Sequence, residues 1–483
     1  MQDGVESSVR ATADPFGDES EATPGRSRSR SDAKSAIIAE TRTTSSDGPL
    51  LGKASPTTVS TSVAYIGDLD ESYPEGGLRA WLVVFGCWLA LFASLGFMNV
   101  LTTFLTHITT NVSIRNVPGA ISGIISAHTL LSLLLGLYIG PLFDKYGPRW
   151  LILAGTVCLV TSLVIASIGI SFWPILAALT VLSSLGTSLL FTPSIAIIAH
   201  YFSSRRGLAT GIASTAGPAA GIVFPALLQT LFPRLGWPWA VRALALIFLA
   251  VTVAASFLIR ARVPPPLTTT TTTTTTSHLT TNPHPSARIF LTRGFTPAVL
   301  AIFLGQFAAF LPLTYISAYA LNMGFTHALT VDVIAAMNAS SVAGRVAAGW
   351  AADRVGPFNA SVLAAAVAAL ACFGVWFPAG ATKPGVVVFA VVFGFVSGGG
   401  VSLAPVAVGR LCGTGVFGRY YGTAYAVVSV AVLLAIPVAG GLGADGKGYE
   451  GLIAMAGVFY IASAVAFAVA KVSVVGPRFW AAF

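Results

Sequence analysis

Charge is scarce in this chain, and acid is the scarcer sign. Only 9% of the 483 residues are charged, with 18 Asp and Glu against 27 Lys and Arg. Soluble domains carry roughly 25% charged residues, so a water-soluble fold with 55% hydrophobic residues is excluded and the bulk of the chain belongs in lipid. The acids crowd at one end. Residues 1–78 hold all but Asp144, Asp332, Asp353, Asp445 and Glu450. The bases scatter at helix ends instead of clustering, which argues against a nucleic-acid partner. Cysteine is equally sparse: Cys87, Cys158, Cys372 and Cys412 fall inside apolar runs and read as packing residues, so no disulfide framework is expected. The six histidines are dispersed, with no metal-ligand spacing, and no P-loop is present. Neither an enzyme signature nor a cofactor pattern emerges, and no protein partner is deducible. The polar, acidic start carries no cleavable signal peptide, so the first apolar span is expected to direct insertion.

What the chain has in abundance is long apolar runs. Twelve are long enough to cross a ~30 Å hydrocarbon core as ~20-residue helices. They lie at 80–105, 119–142, 150–170, 173–199, 208–230, 239–260, 295–320, 330–351, 359–379, 385–409, 420–441 and 451–471. Continuous runs favour helices over a barrel. Residues 1–74 are acidic and poor in large apolar side chains, a disordered tail by composition. Residues 261–294 hold an unbroken run from Thr268 to Thr276 and read as a flexible linker. The organisation expected is a tail (1–74), a six-helix bundle (75–260), the linker (261–294), a second six-helix bundle (295–475) and a short tail (476–483). With the N-terminus inside, the inner loops collect most of the bases, so both termini are expected to be cytoplasmic. Asn111-Val-Ser113 then falls on an outer loop as a candidate N-glycosylation sequon, a short pattern that also arises by chance.

Two stretches about 209 positions apart are near-copies: Gly140-Pro-Leu-Phe-Asp144-Lys-Tyr-Gly147-Pro148-Arg149 and Gly349-Trp-Ala-Ala-Asp353-Arg-Val-Gly356-Pro357-Phe358. Each follows an apolar run, so the repeat marks the same loop in two related halves. A carboxylate at such a place can accept hydrogen bonds from a neighbouring helix N-terminus, which carries partial positive charge. Gly147 and Gly356 permit a tight turn there. The plainer reading is a topological loop with interfacial charge. The copies also differ. Arg345 lies eight residues before Asp353, where the first copy has Gly136. At 1.5 Å per residue that is ~12 Å deeper than the loop. No remaining acid sits in the body of a span to pair with it. An intramembrane arginine is a functional candidate by default, and its guanidinium fits a carboxylate bidentately. The competing reading holds Arg345 on backbone carbonyls or stretches it toward Asp353.

Twelve spans in two halves, with G-x-x-x-D-x-x-G-P after the second and eighth, resemble the major facilitator superfamily. Glu75-Gly-Gly-Leu-Arg-Ala-Trp81 before the first span, and Tyr201-Phe-Ser-Ser-Arg205-Arg206-Gly-Leu-Ala209-Thr-Gly211-Ile-Ala213 opening the fifth, are similar to two signatures of its monocarboxylate transporter family, most of all the fungal branch. The resemblance implies that Asp144 and Asp353, with Gly140, Arg149 and Gly349, belong to gating loops that latch the outward-open state. It also implies that Arg345-Val-Ala-Ala-Gly349 binds a substrate carboxylate. Animal members carry an Asp one turn before that Arg, where this chain has Ser341, and a Lys in helix one near Asn99. Both groups serve proton coupling there, so a standard proton symport and a small lactate-like cargo come into doubt.

Asn99, Ser341 and Asn338 are therefore candidate substrate contacts alongside Arg345. His128 is the candidate proton relay, since His titrates near neutrality; a lone His on a helix is also a common structural residue. Arg205 and Arg206 suit anionic lipid headgroups or simple positive-inside anchoring. The expectation is an all-α membrane protein of the plasma membrane whose partners are the bilayer and a small molecule. It would be a secondary transporter of an organic anion or carboxylate-bearing metabolite, working by alternating access. Export of a fungal secondary metabolite is the alternative. A non-transporting sensor is a third.

Overall fold

The computed structural model describes residues 73–111, 120–168, 172–262, 286–444 and 449–476. The acidic tail, the Thr tract, residues 477–483, Val112, Ser113 and the side chain of Asn111 lie outside them, as does Asp445. Among the described residues there is no strand. The helices are α1 (Leu78–Asn111), α2 (Ala120–Leu134), α3 (Gly136–Tyr146), α4 (Pro148–Ile168), α5 (Phe172–Ala177), α6 (Ser183–Ala196), α7 (Arg206–Ser214) and α8 (Ala216–Leu258). After the Thr tract come α9 (Phe295–Asn322), α10 (His327–Val355), α11 (Pro357–Ala371), α12 (Phe377–Ala379), α13 (Lys383–Gly409), α14 (Phe417–Ala444) and α15 (Glu450–Val475).

Ten helical stretches are long and apolar enough to cross a bilayer. The protein is a multi-pass membrane protein. One stretch, Arg206–Leu258, is 53 residues, ~80 Å at 1.5 Å per residue, far more than one crossing needs. It breaks at Gly236, whose positive φ of 71° takes the chain out of helical geometry between Pro233 and Pro238. The stretch α10 is not among the ten, because Asp332, Arg345, Asp353 and Arg354 dilute its apolar character. Large apolar side chains such as Trp150, Phe257, Leu246 and Leu370 stay exposed on the outer surface. Such a surface is stable in hydrocarbon and not in water.

The helices before the Thr tract pack on one another through α1 against α8 and α4 against α6 and α8, while α10 against α13 and α9 against α15 do the same after it. Close approach is set by glycine. A Cβ at Gly344 would collide with the Phe395 carbonyl, and one at Gly398 with Ser341, so α10 and α13 meet almost backbone to backbone. The chain before α1 folds back on the loop preceding α7. Glu75, in a left-handed conformation (φ 48°), turns its carboxylate onto that loop. Its Oε1 accepts from the Ser203 and Ser204 N–H groups (2.9 and 2.8 Å), and its Oε2 from the Ser204 hydroxyl (2.6 Å) and the Arg205 N–H (3.3 Å).

Partial burial acts to raise the Glu75 pKa, but the Ser204, Ser203 and Arg205 hydrogen bonds outweigh it and hold the carboxyl below its ordinary value. A depressed pKa makes its contribution fully present above the ordinary carboxylate range and lost as pH falls through the folded-state value. Glu75→Ala is expected to lower stability by about 1 kcal/mol at neutral pH, the usual scale of a lost cap. Thermal melts of the detergent-solubilised protein should show the gap to wild type shrinking on acidification; a gap that widens contradicts the strap.

Candidate functional site

The two repeated aspartates perform the same task on opposite partners. Asp353, near the end of α10, accepts from the backbone N–H of Gly207 (2.7 Å) and Leu208 (2.8 Å) at the start of α7. Asp144, near the end of α3, accepts from Gly418 and Arg419 (both 2.9 Å) at the start of α14. The first N–H groups of a helix lack intrahelical acceptors and carry partial positive charge. In each case a carboxylate from the other side of the Thr tract supplies what the helix lacks. The residue before α7, Arg205, offers no side-chain cap of its own. Gly140 presses on the Gly418 carbonyl and Gly349 on the Gly207 carbonyl, so no larger residue fits without moving a helix. The tight turns follow at Gly147 (φ 75°) and Gly356 (φ 87°). Arg149 is exposed and takes no part.

Arg206 joins this seam, and here the structure corrects the lipid-headgroup reading. Its side chain is buried, donates from Nη1 to the Gly409 carbonyl (3.2 Å) and lies 4.4 Å over the Phe417 ring. Gly409 ends α13, where free carbonyls attract a cation. Arg205 is the exposed member of the pair.

Above the seam lies a chamber open to the centre of a water molecule over about 200 Å³. Its walls come from α1, α2, α6 and α7 on one side and α9, α10, α13 and α14 on the other. Most of the lining is apolar, including Leu91, Met98, Phe191, Phe310 and Val432. The polar exceptions are Thr129, Ser132, Thr187, Ser214, Gln306, Tyr421, Tyr425 and Arg345, the last the only charged residue among the described lining. Arg345 donates from Nη1 to the Ser214 carbonyl, while its buried Nε has no hydrogen-bond partner. The backbone-carbonyl reading holds at one end of Arg345, and the residue lines the chamber. Asp353 is engaged with α7 and does not serve it.

A model of the Major Facilitator Superfamily matches residues 86–436. The chain belongs to this superfamily. It is 31% identical over 408 residues to MFS-type transporter 1 of Ophiocordyceps sp., covering 84% of this chain and 88% of that one. It is 32% identical over 378 residues to the aspyridones efflux protein of Emericella nidulans, covering 77% and 73%. In fold it resembles a bacterial homologue of the iron transporter ferroportin, with a TM-score of 0.65 at 14% identity, over 81% of this chain and 99% of that one. A superfamily transporter of small molecules, with fungal relatives, is what these likenesses establish.

The remaining sequence candidates of this superfamily member sit elsewhere than the chamber lining. Asn99 and Asn338 donate to their own helices, at Leu95 O and Ile334 O, and turn their Oδ1 atoms to the same glycine, Gly221. They meet each other's neighbourhood and not Arg345. Ser341 is buried and packs on Gly398 of α13. His128 is buried among Phe97, Ser183 and Ser184, whose hydroxyls lie 3.0 and 2.9 Å from Nδ1. Its neighbour Thr129 lines the chamber and His128 does not. Sequence reasoning passed over Thr187, Tyr421 and Tyr425, uncharged residues on apolar helices that no pattern distinguishes from packing.

Hydrogen bonds to a charged acceptor are worth about 1.5–3 kcal/mol each. Asp353→Asn and Asp144→Asn are therefore expected to shift the protein away from this closed seam by roughly tenfold or more. Cys412, half-buried beside α13, reports the change. Its alkylation rate, read by mass spectrometry, should rise in either variant; unchanged rates in both would show that the carboxylates do not hold the seam.

Proposed function

We propose that this chain exports a largely apolar metabolite bearing one acidic group, by alternating access between two six-helix bundles. The observation that carries this reading is Arg345: a single cation facing an otherwise apolar chamber, with part of its guanidinium unpartnered. A desolvated guanidinium calls for an anion, and Asp353 and Asp144 are both engaged at the seam. The apolar lining suits a hydrophobic body more than a two- or three-carbon acid. Export is favoured over uptake because a relative of 32% identity is named an efflux protein. The monocarboxylate transporter likeness then contributes the arginine and not the cargo.

Twelve crossings are supported by physical length. Ten stretches suffice alone; the 53-residue one has length for two crossings and a break at Gly236, and α10 supplies the other. On this reading residues 75–260 and 295–475 are the two bundles, 261–294 links them, and the plasma membrane holds them with both termini cytoplasmic. The aspartate-capped seam is the cytoplasmic gate, and its opening passes the chamber from one face to the other.

The test is a flux screen of carboxylate-bearing metabolites and their neutral amides in a host lacking its own exporters. Arg345→Ala is expected to abolish export of the acids while surface expression holds, and Arg345→Lys to restore only part, since a point charge replaces a bidentate fork. Unchanged flux in Arg345→Ala removes the reading. Collapsing the pH gradient should reduce flux only modestly, because no described Asp or Glu lines the chamber; complete loss would demand a proton carrier in another place.

A further inference from the structure

A second, smaller cavity opens off the chamber inside the later half of the chain. It lies among α9, α11, α13 and α15, and shares two lining residues with the chamber, Gln306 and Val401. Small residues at the helix seams leave the space, which admits the centre of a water molecule over about 40 Å³. A single buried water occupies ~10–15 Å³ on that scale, so a group of two or three heavy atoms fits.

The polar groups around it are unevenly committed. The hydroxyls of Ser361 and Ser463 donate to the Pro357 and Ala301 carbonyls (both 2.8 Å), and that of Ser397 to Gly394 (3.4 Å). Their protons are therefore used, and toward the cavity these serines can only accept. Tyr460 lines the cavity with its ring, while its hydroxyl is sealed away from the space. Gln306, 9% exposed, stands at the junction of the two spaces. No charged residue is among the described lining.

We propose that this side pocket is a substrate subsite for a small neutral hydrogen-bond donor, a hydroxyl or an amide N–H, carried by the same molecule whose acidic group meets Arg345. The acceptor-rich serines select a donor. The absence of charge in the lining selects a neutral group. Gln306, able both to donate and to accept, completes its hydrogen bonds. The inference rests on the anionic reading of the chamber and adds the second point of recognition, which fixes the molecule's orientation and discriminates among acids of equal charge.

The experiment uses the full-length protein in nanodiscs, with n-alkanoates of increasing chain length and their ω-hydroxy counterparts as probes, binding read by tryptophan fluorescence. At one chain length the hydroxyalkanoate should bind about fivefold tighter than its parent, the net effect of one hydrogen bond. Ser463→Ala removes an acceptor from the lining with little change in shape. Gly400→Val fills the pocket, since a Cβ at Gly400 meets nothing within 4 Å. Both should erase the preference and leave the parent alkanoates bound as before. A preference that survives in both variants overturns the subsite. So does Arg345-dependent binding with no hydroxyl preference at any length, which leaves the pocket a water-filled structural void while the anionic reading stands. Failure of every acid to bind, hydroxylated or not, overturns both readings together.

Discussion

A guanidinium held in an apolar interior without a carboxylate is the constraint on which the rest of this structure depends. Arg345 has five N–H donors, and the Ser214 carbonyl takes a bond from only one of its nitrogens. Burying such a charge without compensation is expensive, and removing its partner from a buried pair commonly costs 3–5 kcal/mol. The surrounding helices are shaped to hold it. Gly211 lets α7 lie against the Arg345 carbonyl, and the Nη1 atom lies 3.4 Å from where a Cβ at Gly217 would stand. The position therefore couples three things: a close helix seam, a charge turned inward, and a chamber wall.

The seam beneath it applies the same economy to neutral dipoles. The starts of α7 and α14 lack acceptors for their N–H groups until Asp353 and Asp144 arrive from the other side of the Thr tract. Each carboxylate accepts from two backbone N–H groups at once, so the contact forms or breaks as a unit. Arg206 and Phe417, which precede the capped Gly207 and Gly418, touch each other across the seam. In the proposed gating, opening this end would expose helix termini, a desolvated arginine and two aspartates to water, all of which water solvates well. The two arrangements can then lie close in free energy, as a gate requires.

How much of this was legible in the sequence varied with the kind of signal. The aspartates were legible because the chain states them twice, about 209 positions apart, and the difference between the copies isolated Arg345. That the chain crosses the membrane many times was legible because hydrocarbon thickness fixes helix length. The face each residue turns was not. In water a helix shows its buried side by the period of its apolar residues, whereas in lipid both sides are apolar and the period fades. Asn99 and Ser341 were candidates by their places in the family pattern and Asn338 as a polar residue in a span, and the structure turns them to Gly221 and Gly398. Arg206 read as a surface charge beside Arg205, yet one helical step separates exposure from burial.

The central claim is that the chamber recognises a negative charge through Arg345. Its most direct measurement is equilibrium binding of one aryl carboxylate and its primary amide to the purified protein, in wild type and in Arg345→Gln. The account predicts that the acid binds wild type at least about tenfold tighter than the amide, the scale of one charge-assisted pair, and that the difference vanishes in the variant. Equal binding of acid and amide to wild type, or a preference that persists without the guanidinium, would contradict it.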